Sequence, residues 1–455
     1  MHPRLVRHIV FPLHEWIKSK PTFPWLNRLE KSQWDPPERL AEMQWNRLRY
    51  HLQFAYDHVP YYRRLFDDHA VQPAGVQTPD DLRLIPFLTR DLLRSEFDQL
   101  KALARLGRIT RRTSGGSTGE PVIVLSDMER MGFGEAVRLR AHRWFGLEPG
   151  AREVCLWGSP IELRKQDRLR ALRDRLLNSR VLSAFHMNET QMATYARTLS
   201  RFRPEKIVCY AHAMYILARY LTRIRWTPPP GLRAIFTTAE MLFDFQRAVI
   251  QQTFAASVAV EYGARDAGLM ANECPNGRLH IAAEGILIEI DGAGPNGLGE
   301  IVVTNLYSSA MPIIRYRTGD LGQLDSELCP CGRTLPCLKR LEGRRGDFLV
   351  TPDGRVIHPQ AIVHVLREAP AIREFQILQE GLDRLTITIV PAEGFTEERR
   401  RALLDRVQRF VGDRLSVEIE LRDAVSPTTS GKHRHVISKV ADEYLDRILD
   451  LRALR

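Results

Sequence analysis

The apolar positions of this chain change their spacing along its length. From about Trp34 to Asp68, Leu40, Met43, Leu48, Leu52 and Tyr56 recur near a 3.6-residue period behind an Asp35-Pro36-Pro37 start, which predicts a long amphipathic helix. Leu84 to Arg90 is a short apolar connector with Thr89 placed to cap a further helix. Beyond it, β-branched runs alternate with helical patterns. Pro121–Leu125, Val154–Trp157, Ile207–Tyr210, Ala234–Thr237 and Val258–Gly263 read as strands, and Glu189–Phe202 and Ala213–Arg223 as helices. Such alternation predicts an α/β core with a largely parallel sheet. Gly285–Ile290 and Glu300–Asn305 flank a turn-rich segment in a hairpin pattern, and Ile313–Asp320 reads as a strand closing on a Thr-Gly-Asp turn. From near Gly346 the texture changes again. Strand Leu385–Val390, helix Thr396–Val411 and strand Val417–Leu421 predict a compact α+β unit, so the expected division is 1–345 and 346–455.

Composition narrows the class. With 455 residues, 44% hydrophobic and 27% charged, the chain suits a soluble globular protein of two or three domains, and disorder or a coiled coil is not expected. No run approaches ~18 uninterrupted apolar residues, so no transmembrane segment is expected. Near the start, Arg4, Arg7 and His8 sit beside Ile9, Val10 and Phe11, but the apolar patch is too short and interrupted for a signal peptide. The expected location is cytoplasmic. Six cysteines there do not suggest a disulfide framework; three lie between Cys329 and Cys337, which points to metal. A net charge of +11 is compatible with nucleic acid, a membrane surface or an anionic substrate. The densest basic segment, Arg164–Arg180, interleaves arginines with Leu169, Leu172 and Leu176 and reads as a solvated helix face; no nucleic-acid-binding signature accompanies it.

The chemistry centres on Thr113, Ser114, Gly115, Gly116, Ser117, Thr118, Gly119, Glu120 and Pro121. Glycines allow a tight backbone with exposed amides, and the hydroxyls add donors, which is the make-up of a phosphate cradle. The loop lacks the Lys that ends a Walker A motif, and on its own it also reads as a plain turn. Since it is expected to join an irregular segment to a strand, it is not a phosphate site at a helix N-terminus.

Further motifs follow in order: Glu261-Tyr262-Gly263-Ala264-Arg265-Asp266, Tyr316-Arg317-Thr318-Gly319-Asp320, Gly343-Arg344 and Ser430-Gly431-Lys432. Together with the glycine loop they resemble the motif order of adenylate-forming enzymes. Within that superfamily the chain is most similar to the phenylacetate-CoA ligase branch, including CapK-like proteins associated with capsular polysaccharide biosynthesis. The resemblance implies a large N-terminal adenylate-forming domain with mixed sheets and helices, and a small mobile C-terminal lid. It also implies ATP-dependent conversion of a carboxylic acid to an acyl-adenylate, followed by a CoA thioester.

In that scheme the glycine loop holds the leaving phosphates, Asp266 helps bind Mg2+, Tyr262 and Gly263 face the adenine, Asp320 binds the ribose and Arg344 lies near ribose and phosphate. The family usually has Glu where this chain has Asp266. Glu240 resembles another pocket position. Lys432 would bring a point charge to the substrate carboxylate and α-phosphate, and Asp347 marks the hinge; as a bare residue Lys432 also reads as a surface lysine. Two alternatives stay open: transfer of the acyl group to a carrier, amine or sugar, and a non-catalytic nucleotide-binding protein.

Cys274, His280, Cys329 and Cys331 make a Cys3His set suited to structural Zn2+, with Cys337 as a substitute ligand; some members of the branch resemble this arrangement. Tyr210 to Ala213 falls where related enzymes line an aryl pocket. His212 there either meets an acid, narrows the pocket or is a satisfied core histidine. The acid and the oligomeric state are left open, a homodimer being one option.

Overall fold

In the computed structural model the described residues are 1–113, 122–157, 167–184, 187–294, 297–344, 348–353, 356–357, 362–363, 365–366, 369–425 and 434–441. Contacts divide the chain into two units. One comprises Met1–Ile290, Ile301–Thr318 and Gln323–Arg340; the other comprises Asp291–Glu300, Gly319–Gly322 and Leu341–Arg455.

The helix expected over Trp34–Asp68 is two helices, Pro37–His58 and Pro60–Asp68. Pro60 disfavours helical backbone at the residue before it, and Val59 is extended at φ −122° and ψ 112°. Leu40, Leu48 and Leu52 are buried as the period requires, whereas Met43 is exposed.

Among the described residues, the principal sheet has eleven strands. Its parallel half runs, in spatial order, Ser179–Ser183, Glu153–Trp157, Lys206–Tyr210, Ala234–Thr238 and Ser257–Ala264. Antiparallel strands Gly268–Glu273, Leu279–Ile281 and Cys337–Arg344 continue it, followed by Ile313–Leu324, Gly299–Asn305 and Ile286–Asp291. The strand Lys206–Tyr210 is buried along its whole length, as a central parallel strand covered on both faces must be. Helices Glu189–Phe202, Ala211–Arg223 and Asp244–Phe254 supply Leu199, Leu217 and Ile250 to the core beside Leu156, Ile207 and Ile235.

A separate hairpin, Ile109–Thr113 with Ile123–Asp127, brackets the glycine-rich segment, so the residues before the loop are a strand rather than irregular chain. Asp127 then caps helix Met128–Arg143 by accepting from the Arg130 amide at 2.8 Å, and its other oxygen accepts from Ala310 N at 2.9 Å. That helix packs on Thr22–Ser32. Between them Arg140 pairs with Glu284, which also accepts from the Ser32 hydroxyl at 2.7 Å. Both charged groups are buried, so losing one partner would strand the other at a cost of about 3–5 kcal/mol.

The second unit contains a four-stranded sheet in the order Ser416–Leu421, Arg384–Pro391, Ile372–Gly381 and Val436–Ser438. Helix Glu397–Val411 is capped by the Thr396 hydroxyl accepting from Arg399 N, and it buries Leu403, Val407 and Val411. Leu321, Phe348, Val350 and Ala441 form a small core cluster of this unit.

Candidate active site

Because five neighbouring strands are parallel, their carboxyl ends lie along one edge of the sheet, where open α/β sheets place ligands. Trp157 and Tyr210 end two of them, and their rings stack with centroids 4.3 Å apart. Glu240 follows Ala234–Thr238 and accepts from the His212 amide at 3.0 Å, placing a carboxylate on the N-terminal turn of helix Ala211–Arg223.

The turn after Ser257–Ala264 is built more tightly. A Cβ on Gly263 would come within 2.8 Å of the Gly268 carbonyl, so this close backbone approach needs glycine. Tyr262 is buried beside it, at a register shift between strands. Asp266 is buried with both carboxylate oxygens engaged: the Tyr316 hydroxyl donates to Oδ2 at 2.8 Å and the Ala267 amide to Oδ1 at 3.0 Å. Each oxygen keeps acceptor capacity, so the group suits a hard cation such as Mg2+.

Two further residues that sequence reasoning had not assigned hold this turn. Arg130 donates to the carbonyls of Asp266 at 2.5 Å and Arg265 at 3.5 Å. Burial, reinforced by the charge of Arg112, pulls its guanidinium down to about 10, and its Nη1 is a buried donor without a partner. Arg265 donates to the Thr113 carbonyl at 2.8 Å, linking the Asp266 turn to the start of the glycine loop.

Below Tyr262 runs a buried polar chain. Glu261 Oε1 lies 2.8 Å from His142 Nε2, Lys206 Nζ lies 3.1 Å from His142 Nδ1, and Lys206 pairs with Glu153 at 2.7 Å. Burial, then the Lys206 charge, lowers the His142 imidazole to about 4, so it is neutral at pH 7. A neutral ring accepting from Lys206 at Nδ1 must carry its proton on Nε2 and donate it to Glu261. Burial alone would raise the Glu261 carboxyl, but this bond and the neighbouring cations outweigh it and hold it below the ordinary carboxylate value.

The cysteine and histidine cluster is assembled from three segments. Cys274, His280, Cys329 and Cys331 bring one ligand atom each to within 4.8 Å of the others. Cys274 Sγ lies 3.7 Å from Cys329 Sγ, and Cys331 Sγ lies 3.3 Å from His280 Nε2. The sulfur separation is too long for a disulfide. Both distances approach the edges of a tetrahedron built on metal–sulfur bonds of about 2.3 Å and metal–nitrogen bonds of about 2.0 Å. Cys337 lies instead on the other ring nitrogen, 3.4 Å from Nδ1, beside the Leu335 carbonyl, which at 3.3 Å orients the imidazole.

Of the remaining expected site residues, Thr113 ends the first strand of the hairpin. Asp320 lies on strand Ile313–Leu324, in a segment belonging to the second unit. There Gly319, at φ 77°, donates its amide to Glu300 at 3.2 Å. Arg344 ends strand Cys337–Arg344. The side chain of Arg344, and Ser114, Gly115, Gly116, Ser117, Thr118, Gly119, Asp347 and Lys432, lie outside the described residues.

The family model for the CapK C-terminal domain matches residues 349–439. Protein CapK of Staphylococcus aureus is 24% identical over 80% of this chain and 81% of its own length. A phenylacetate-coenzyme A ligase of Thermus thermophilus is 28% identical over 92% of this chain and 98% of its own. The fold matches 2-hydroxyisobutyryl-CoA ligase, solved in the postadenylation state with an acyl-AMP. The TM-score is 0.70 at 21% identity, covering 92% of this chain and 94% of the other. Motif order, the two-unit α/β architecture and these similarities point one way: along most of its length the chain is similar to CapK and to phenylacetate-coenzyme A ligases, and it shares the fold of a CoA ligase.

Proposed function

We propose that the chain activates a carboxylic acid with ATP, forming an acyl-adenylate and pyrophosphate, and then passes the acyl group to the thiol of CoA with release of AMP. The observation carrying this reading is the Tyr316–Asp266 hydrogen bond, which joins two of the ordered motifs across fifty residues of sequence, beside the Arg265 link to Thr113. In the first step a carboxylate oxygen attacks the α-phosphate and the bond to the leaving pyrophosphate breaks, so negative charge must be held at two places. The loop 114–119 would cradle the leaving group, with Arg265 fixing its entry through Thr113. Asp266 would contribute to a Mg2+ site whose charge screens the phosphates. Tyr262 would pack on adenine, Asp320 would accept from the ribose hydroxyls with Arg344 nearby, and Lys432 would approach the reacting carboxylate from the 346–455 lid. In the second step the CoA sulfur attacks the acyl carbonyl and the mixed anhydride breaks, releasing AMP.

Trp157 and Tyr210 supply an aromatic surface near Glu240, which favours an acid with an apolar or aryl body. The CapK match in the smaller unit supports a second reading of the last step, in which a carrier, amine or sugar hydroxyl takes the place of the thiol. The Cys3His cluster fits structural Zn2+, closing the Cys329–Cys337 excursion onto the neighbouring strands.

The test is pyrophosphate exchange and AMP release across aryl, fatty and hydroxy acids, with and without CoA. The proposal expects acid-dependent exchange without CoA and thioester with it. Nucleotide binding without exchange for any acid would overturn it in favour of a non-catalytic protein.

A further inference from the structure

The first turns of the chain carry a feature the ligase reading does not use. Pro3–Leu5, the π-helical Val6–Val10 and Phe11–Ile17 form one continuous helical run. Val6 and Glu15 anchor it, and the chain start is tied to Asn178 by a 2.8 Å bond from the Met1 ammonium and one of 3.1 Å back to the Met1 carbonyl. The opposite side is apolar and faces outward. Leu5, Ile9, Leu13, Trp16 and Ile17 succeed one another at helical spacing, with Ile9 56%, Trp16 76% and Ile17 63% exposed. Leaving a contiguous set of such residues exposed to water is ordinarily avoided, and a continuous stripe marks a contact surface.

Basic side chains frame it. Arg4 is exposed within the run. At its end Lys20, Arg173 and Arg108 lie near Lys18; burial and then these cations, against the opposing charge of Glu15, hold the Lys18 ammonium below its ordinary value. Lys20 also pairs with Glu15 at 3.7 Å and Arg173 with Asp174 at 2.5 Å. Arg173 belongs to helix Asp167–Leu176, whose Leu172 and Leu176 are exposed as well, so this solvated face carries both apolar and basic side chains.

We propose that this face docks in the plane of an anionic lipid bilayer. At about 1.5 Å per residue the run is too short to cross a hydrocarbon core of about 30 Å, and no described helix is long and apolar enough to do so. It instead has the form of an interfacial helix, with an apolar side that enters the headgroup boundary, a tryptophan at that depth and basic residues at the rim. The net charge of +11 adds a long-range attraction that a neutral partner surface would not use. A second copy of this chain would bring the same cations face to face, which makes lipid the better occupant.

The test is co-sedimentation of the full chain with phosphatidylcholine vesicles, and with vesicles also containing phosphatidylglycerol. The expected result is binding to the anionic vesicles that weakens as salt is raised. Trp16→Glu and the pair Ile9→Glu and Leu13→Glu should each reduce partition by about tenfold or more. Circular dichroism and the melting midpoint should stay at wild-type values, because these side chains are exposed. Wild type should show a blue shift of tryptophan emission on anionic vesicles that Trp16→Phe loses. Equal sedimentation of wild type and Trp16→Glu would overturn the proposal. So would a dimer in light scattering that Trp16→Glu dissolves while vesicle binding is absent, which would give the stripe to a second copy. None of these readouts depends on ligase activity.

Discussion

At the scale of single residues, Asp266 is held in place from its side chain and its main chain. Tyr316 and the Ala267 amide each bond one oxygen, and Arg130 holds the main chain of the same turn. Tyr316→Phe removes one oriented bond of about 1 kcal/mol while leaving the ring packing in place. The expected outcome is a Mg2+ requirement for pyrophosphate exchange raised by about fivefold, with nucleotide affinity at saturating Mg2+ little changed; an unchanged Mg2+ titration would show that Asp266 does not depend on this bond.

A second prediction at this scale concerns acid. Burial, then the Lys206 charge, lowers His142 from 6.5 to about 4; burial, then the Arg47 charge, lowers His51 from 6.5 to about 3. The unfolded chain therefore binds more protons than the native one once the pH falls below 6.5, so stability drops through that window toward the folded values. A loss on the order of 3 kcal/mol from each histidine, about 6 kcal/mol together, is expected by about pH 4, read as a falling urea midpoint. Both His51 ring nitrogens are buried without partners, so His51→Leu should flatten that decline and cost little at pH 7. An equally steep decline in the variant would contradict the assignment.

At the scale of elements, the glycine that lets strand Gly268–Glu273 close on Ser257–Ala264 has backbone against its Cβ position. Gly263→Ala is expected to destabilise by about 1–3 kcal/mol, measured by denaturant unfolding, and to displace Tyr262 from its place. The Cys3His cluster is also a device of elements, since Cys274 and His280 flank a strand turn and Cys329 and Cys331 lie in a distant loop. Elemental analysis should find close to one zinc per chain, and Cys329→Ser should lose it and lower the melting temperature. Cys337→Ser should retain most of it, because that sulfur faces the other ring nitrogen. Well under one zinc per chain in wild type would reduce the cluster to buried thiols.

The alternation of strands and helices was legible because burial on a parallel sheet imposes local patterns, and the cysteine spacing was legible because thiols are rare. The Val59–Pro60 break was also written in the sequence but was masked by a period that runs through it. By contrast Arg130 meets Asp266 across 136 positions and His142 meets Glu261 across 119, with no spacing to announce either contact. An arginine and a histidine on a helix read as surface until the fold shows them buried.

At the scale of the whole molecule, the larger unit carries Asp266 and Thr113, and the smaller one carries Asp320 and the C-terminal tail. Lys432→Ala is expected to abolish pyrophosphate exchange while leaving ATP binding within about twofold, as measured by calorimetry; full exchange in this variant would remove the lysine from the first step. The proposed function requires that separate turns serve one triphosphate. A crystal structure of the protein with ATP and Mg2+ tests it most directly. The account predicts phosphates against the loop that follows Thr113, and Mg2+ density within coordination distance of Asp266. Nucleotide bound away from both, with Asp266 still held only by Tyr316 and Ala267, would contradict it.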